Sequence, residues 1–455
     1  MSVINRRDFL KAAGAGAALG VSPLAGFGQT VGSAASLSNY RALVCIYLFG
    51  GNDSFNMVVP RSVAKYNAYA ASRQNLAVPR DSLLRITPLN SDGVNYGLHP
   101  ALPELRNLFR NGNAAFINNV GTLVQPVTKE KYLDDAVNIP PQLFSHNSQQ
   151  DQWQTLKGLA VSRTGWGGRI ADMFRDDLAG QRFPTNISLH GDQLMLTANA
   201  TTPYVMGLDG PAKLVAFNGT FRQPQTYYQQ QLREAYERVL AGSHKSVYGR
   251  AFAESQQRAL QSYETIRSAI ADAEPVAVQF SSSDLGRQLR TVANLISARE
   301  QLQMKRQIFF VGAGGFDTHD YQNEFQPQLY ADLSKCLGDF YLALQQLGVA
   351  DSVTAFTQSD FGRTLTSNGD GTDHGWGGIQ VVVGGAVDGS KFFGTYPELS
   401  MGGPDEVSGG RLIPTTSADQ YVATLSKWLG VPDAGIEQIV PNIGNFAQRD
   451  LGFMG

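Results

Sequence analysis

Carboxylates and imidazoles recur in this sequence where apolar runs give way to short glycine-rich segments. Asp53 closes Leu48-Phe49-Gly50-Gly51-Asn52-Asp53, and Asp317, His319 and Asp320 follow Gly314-Gly315-Phe316. Asp360 stands in Gln358-Ser359-Asp360-Phe361-Gly362, and Asp373 and His374 stand in Gly371-Thr372-Asp373-His374-Gly375. In an open parallel sheet such loops gather at the carboxyl edge, where ligands bind. Carboxylate oxygens and neutral imidazole nitrogens together suit divalent metals. The chemistry expected is metal-dependent hydrolysis, with Asp53, Asp317, His319, Asp360 and His374 as the ligands.

Each segment also has an ordinary structural reading. Gly50-Gly51 lets the backbone turn sharply toward a ligand, but Gly-Gly-Asn-Asp is equally a turn in which Asp53 bonds nearby amides. Asp317 and His319 are two apart, so on extended chain they face the same way and reach one cation. Asp320 then points elsewhere, as a group behind the ligands or a helix cap. Asp360 suits a ligand or an ion pair with Arg363. The glycines around Asp373 and His374 make a loose loop unless something such as a bound metal fixes it. A nucleophile is offered by Ser145, in Ser145-His146-Asn147-Ser148-Gln149-Gln150-Asp151 at the start of a predicted helix. Orphan amides there favour an anion, and a neighbouring dication activates a hydroxyl. The competing reading is a helix cap, with Ser148-x-x-Asp151 close to a capping box. His146 is a spare imidazole in the same loop.

These loops need a rigid frame. Residues 41–49 are almost wholly apolar, as a buried parallel strand is, 114–120 is a second such run, and 186–190, 307–312, 352–357 and 379–383 are further strand candidates. Helical patterns at 102–110, 330–347 and 416–429 alternate with them, which predicts an α/β fold with a mostly parallel sheet covered by helices on both faces. From 226 to 305 the rhythm breaks into successive helical stretches, 227–241, 246–273 and 283–303. They read as a helical insertion, about 221–305, that is scaffolding or a lid over the site.

The 455 residues carry a net charge of −2 with only 17% charged side chains, which excludes the basic footprint of a nucleic-acid binder. No interior apolar run approaches the ~20 residues of a membrane span. Asn5-Arg6-Arg7-Asp8-Phe9-Leu10-Lys11 before a mild Ala/Gly stretch reads as a twin-arginine export signal over residues 1–35, with residues 36–455 as the exported domain in the periplasm or outside the cell. Cys45 and Cys336 fall in a predicted strand and a predicted helix and are expected as free buried thiols.

Taken together, Gly50–Asp53, Ser145–Trp153, Gly314–His319, Asp360–Thr364 and Gly371–Gly375 resemble the motifs of the exported domain-of-unknown-function family 1501. That family in turn is similar to the alkaline phosphatase and sulfatase superfamily. The resemblance implies an alkaline-phosphatase-like domain and one or two divalent ions, Zn, Mn or Ca. Asp53 and Asp360 would hold one ion, Asp317, His319 and His374 another, and Ser145 would attack a phosphate or sulfate ester of a small molecule or glycan. Phe361 departs from the superfamily's Asp-His-Gly, so one site lacks an imidazole unless His146 or a carboxylate replaces it, or a single metal binds. The sulfatase signature Cys-x-Pro-x-Arg is absent, as is the Gly-x-Ser-x-Gly elbow of α/β-hydrolases. The alternative function is a non-catalytic secreted binding or assembly protein that keeps the fold and one structural metal.

Overall fold

Seven consecutive apolar residues after Arg41 make up strand β1, Arg41–Leu48, and its side chains separate by alternation. Ala42, Val44, Ile46 and Leu48 join one buried cluster, while Leu43, Cys45 and Tyr47 join another on the opposite face. The computed structural model describes residues 37–91, 93–211 and 226–455. The predicted signal segment and the first residues of the predicted insertion, 221–225, lie outside the described residues.

Around β1 the central sheet contains β2 (Ala114–Gly121), β3 (Asn186–Ser188), β4 (Arg306–Ala313), β5 (Val353–Ser359) and β8 (Gly378–Val383). Between β5 and β8 lies a small antiparallel hairpin of β6 (Arg363–Ser367) and β7 (Thr372–His374). Across the sheet the order is Phe392–Phe393, β2, β8, β5, β1, β4, β3, Tyr204–Val205, with Thr416–Ser417 also on β2. Strand β1 is parallel to β4 and β5, and β3 is parallel to β4. Only β8 runs against its neighbours β2 and β5. The carboxyl ends of β1, β2, β4 and β5 therefore share an edge with the amino end of β8, and the β6–β7 hairpin sits there too.

One face of the sheet is covered by α2 (Pro103–Arg110), α7 (Asp284–Ser297) and α8 (Gln322–Gln346), through residues such as Leu105, Leu289, Ile296, Tyr330 and Phe340. The other carries α3 (His146–Thr155), α4 (Trp166–Phe174) and α9 (Ala418–Leu429), through Trp153, Trp166, Ile170, Tyr421 and Leu425. Each such buried side chain contributes about 1.5–3 kcal/mol, so this double layer fixes the sheet edge on which the loops depend. Helices α5 (Tyr227–Ala241) and α6 (Val247–Ala271) lead into α7. The first two are largely exposed, whereas α7 packs on β4 and is part of the core. Residues 227–303 are thus two different things, an outer helical pair and one core helix.

Helix α8 begins at Gln322, well before the predicted start, and carries Pro327 inside it. The proline forfeits one amide hydrogen bond near the amino end, on a stretch where Asn323, Glu324 and Phe325 are exposed. Helix α1 (Val63–Arg73) lies against the β6 strand of the hairpin. Cys45 and Cys336 are both free and belong to clusters on opposite faces of the sheet, so no bridge joins them. No helix among the described residues is long and apolar enough to cross a membrane.

Candidate metal centre

At the carboxyl end of β1 the chain turns through Gly50 and Gly51, at φ of +113° and +89°. These conformations suit glycine, and space demands it as well. A Cβ on Gly50 would lie 2.3 Å from the Asp317 amide nitrogen, and one on Gly51 would lie 2.5 Å from the Phe361 ring. The turn lets the loops after β1, β4 and β5 close against one another.

Asp53 emerges from this turn fully buried, and its Oδ2 accepts from the Arg73 guanidinium and the Gln322 amide. Arg73, the last residue of α1, also donates to the Asn56 side chain (3.1 Å) and the Thr364 carbonyl (2.8 Å). The Gln322 carbonyl accepts in turn from Thr318 (3.1 Å) and Thr372 (2.7 Å). Asp53, expected as a metal ligand, is placed in an ion pair with a guanidinium from its own chain. Its Oδ1 is buried without a hydrogen-bond partner.

Asp360, at the end of β5, is also fully buried. Its Oδ2 accepts from the Gly50 amide (3.2 Å), the Gln150 side chain (3.1 Å) and Nδ1 of His146 (2.6 Å). It does not pair with Arg363. That guanidinium, buried, donates instead to Asp317 (2.7 Å), to the Gly50 carbonyl (3.1 Å) and to Thr372.

Asp317 is the meeting point. Its carboxylate lies 3.1 Å from Nε2 of His319, 3.4 Å from Nε2 of His374 and 3.4 Å from Nε2 of His146. The Nε2 atoms of His319 and His374 are themselves 2.9 Å apart. Each imidazole is held from behind through Nδ1. For His374 the partner is the Phe144 carbonyl (2.8 Å), for His146 it is Asp360, and for His319 it is Asp373 (3.3 Å). Carbonyls and carboxylates only accept, so a proton on each Nδ1 would satisfy its partner, and the three Nε2 atoms converge on Asp317. Asp373 is thereby an orienting group behind His319. Asp320 is exposed at the mouth of the loop.

The electrostatics follow from these partners. Burial pushes the Asp317 carboxyl up, but the Arg363 hydrogen bond and charge, with His319 and His146, outweigh it and hold it below the ordinary range. The hydrogen bond to Asp360 raises His146 above the usual imidazole value against the effect of burial. His374 is lowered, by burial first and then by the positive neighbours Arg363 and His146. His146, Asp317 and His374 form the group of ligand atoms among the described residues that lie within 4.8 Å of one another and could hold a metal, with His319 against two of them.

Phe361 packs its ring 4.9 Å from His146 and 4.5 Å from His374, centroid to centroid. An apolar wall therefore stands at Phe361 against both imidazoles, and His146 reaches the site from the start of α3. Ser145 precedes that helix at its N-cap position, half-buried, and its hydroxyl makes no capping bond. Ser148 lies inside the helix and bonds Gln142, so the capping box does not form. The glycine-rich loop before His374 is docked, not loose. Asn368 donates to the His319 carbonyl (3.0 Å), and the Thr372 amide donates to the Thr318 carbonyl (3.1 Å). Arg73, Gln150 and Gln322 escaped the sequence reading. The only signal for them was a polar side chain inside a helix, which is too common to single out.

Among solved structures the chain is similar to the lipoteichoic acid synthase LtaP of Listeria monocytogenes, at 9% identity, covering 88% of this chain and 74% of that one, with a TM-score of 0.33. It is similar to the C-terminal periplasmic domain of EcEptC from Escherichia coli at 12% identity, covering 89% and 86%, with a TM-score of 0.33. A 2-O GAG sulfatase matches at 8% identity over 87% and 71%, with a TM-score of 0.30. Likenesses this slight transfer no function. No curated protein sequence matches the chain. A twin-arginine translocation signal is matched over residues 3–23, so the chain is exported by that route, consistent with a periplasmic location. The family described as "Protein of unknown function (DUF1501)" is matched over residues 40–415, and the chain belongs to it.

Proposed function

We propose that this protein is an exported metal-dependent hydrolase of phosphate or sulfate esters, built around one cation held by Asp317, His319 and His374 with His146 as a fourth donor. One observation carries the reading: three imidazoles, each with Nδ1 beside an acceptor, bring their Nε2 atoms within 3.4 Å of one carboxylate. The Nε2 atoms of His319 and His374, 2.9 Å apart, call for a proton or a cation between them. Acceptors behind ligating histidines are the usual support of a metal site. Imidazole-rich donor sets favour Zn over Ca.

The bound ion would supply positive charge to the oxygens of a phosphoryl or sulfuryl group. The remaining steps belong to the chain. Ser145 Oγ, losing its proton to water, bonds to phosphorus or sulfur as the bond to the leaving alcohol breaks, and the departing alkoxide takes a proton from water. A second water then cleaves the seryl ester, restoring the hydroxyl and releasing phosphate or sulfate. The uncapped hydroxyl of Ser145 supports this role, because a serine kept as a helix cap would spend its oxygen on the helix amides.

A non-catalytic protein holding the same single ion is the second reading. It draws on Asp53, whose pairing with Arg73 removes one strand-end carboxylate from the ligand supply. Elemental analysis of folded protein from metal-replete growth, followed by assay on 4-nitrophenyl phosphate and 4-nitrophenyl sulfate, separates the two. We expect about one equivalent of Zn or Mn, turnover of at least one ester, and a Ser145→Ala protein that keeps the metal and loses turnover. Metal-free protein would overturn the reading, and bound metal without turnover would leave the non-catalytic one.

A further inference from the structure

We infer that the trough beside this site receives an organic ammonium group of the substrate, so that the ester hydrolysed is one of an amino alcohol. The inference rests on the hydrolase reading for its reaction, but the recognition it describes stands on separate residues. A cavity of about 610 Å³ opens next to the cluster, with Asp317, Thr318 and His319 forming its inner rim. Its outer wall is Tyr321, Phe325 and Leu329. Tyr321 and Phe325 are 57% and 48% exposed although both are large aromatics, and their rings meet at 73° with centroids 6.2 Å apart. Two aromatic surfaces at a near right angle make a corner, and such faces attract cations through the ring quadrupole.

Charge settles what fits that corner. Asp320 and Asp332 line the trough with Asp317, and no lysine or arginine is among the residues lining it. One oxygen of Asp332 accepts from Ser281 (3.0 Å), a neutral donor that leaves its charge in place. The Arg363 guanidinium that offsets Asp317 is fully buried behind it. A sulfated or phosphorylated polymer would be repelled here. A neutral sugar would find hydroxyl acceptors but no use for the excess negative charge. An ammonium group satisfies both the rings and the carboxylates, while an ester oxygen a few bonds away reaches Asp317 and His319.

Titration calorimetry of the full chain with choline, with its neutral isostere 3,3-dimethyl-1-butanol and with methyl glucoside tests the assignment. Choline should bind at least about tenfold more tightly than the isostere, and Tyr321→Ala and Phe325→Ala should each weaken it about tenfold. Because both side chains are exposed, neither variant removes core packing. Asp320→Asn should weaken choline and leave the isostere unchanged. His374→Ala, which strips a metal ligand, should leave choline binding intact, so the subsite is read independently of the metal. Equal binding of choline and isostere, or binding of the glucoside alone, would overturn the inference. Choline binding without hydrolysis of phosphocholine by metal-loaded protein would count against the hydrolase reading and leave the subsite standing.

Discussion

Two carboxylates leave neighbouring strands at the same sheet edge and meet opposite fates. Asp53, after β1, is fully buried and paired with Arg73, and Gln322 donates to the same oxygen while Oδ1 is left without a partner. Asp317, after β4, keeps a 43% exposed side chain and faces three imidazoles, and its guanidinium neighbour Arg363 takes only one oxygen. Both corners contain acid groups after an apolar strand, and by sequence they are the same kind of place. Each carboxylate already meets a guanidinium of the chain on one oxygen, so the difference lies in what else faces it. In the first corner that is the Gln322 amide. In the second, three imidazole Nε2 atoms surround an accessible carboxylate, the arrangement on which the cation proposal rests. Gln322 touches both corners, binding Asp53 with its amide and the Thr318 and Thr372 hydroxyls with its carbonyl. The closed corner therefore braces the residues that flank Asp317 and His374.

Removing Arg73 should break this contrast most severely. Arg73→Met leaves the Asp53 carboxylate buried and unpaired, which costs about 3–5 kcal/mol. A urea midpoint shift of that size is expected, with much of it recovered when Asp53→Asn is added. The folded fraction should still bind no second metal, because no imidazole faces Asp53. Uptake of a second equivalent by Arg73→Met would show instead that the guanidinium occupies a latent cation site.

A smaller effect probes the open corner. Asp360→Asn keeps the size of the side chain and an oxygen for the Gly50 amide, but it weakens the hold on His146 Nδ1. Loss of such an orienting partner typically lowers metal affinity 10–100-fold. Competition with a chromophoric chelator should report a drop in that range for Zn, with little change in the urea midpoint of the metal-free protein. Unchanged affinity would remove His146 from the ligand set and leave Asp317, His319 and His374 alone.

Much of this frame was legible because strand burial is a local property. The runs at 41–49, 114–120, 307–312, 352–357 and 379–383 are rich in apolar residues and become strands within a residue or two of those limits. That Asp317, His319 and His374 would lie at one sheet edge was legible for a related reason, since each stood where a strand had to end or in a loop beside one. Pairing was not legible. Arg73 reaches Asp53 across one helix, and Gln322 lies 269 residues away, so nothing local says that a guanidinium rather than an ion faces that carboxylate. The role of His146 was visible only as an unclaimed imidazole, because its partner Asp360 lies 214 residues further on. The expected start of α8 at 330 lies after Pro327, a residue disfavoured inside helices, although the helix runs through it from Gln322.

The finest distinction between imidazoles within the open corner is one of pH. In the metal-free protein His146 is raised above about 6.5, mainly through the hydrogen bond to Asp360, so the folded state binds its proton more strongly than the unfolded chain. That contribution to stability is fully present below the ordinary imidazole value and is lost as pH rises through the raised one. His374 is lowered by burial, so the unfolded chain holds its proton more strongly. Its contribution runs the other way, with stability falling as pH drops from about 6.5 through the depressed value. Urea midpoints of wild-type and variant proteins, measured without metal from pH 5 to 9 and subtracted, isolate each group. The His146→Gln difference should change on the alkaline side of the imidazole range, and the His374→Gln difference on the acid side. With Zn present the first sign should reverse, because the metal takes the neutral ring, and the stabilisation it confers should grow as pH rises. Two difference curves that bend on the same side would mean that the two rings share one environment, contrary to the separate acceptors behind them.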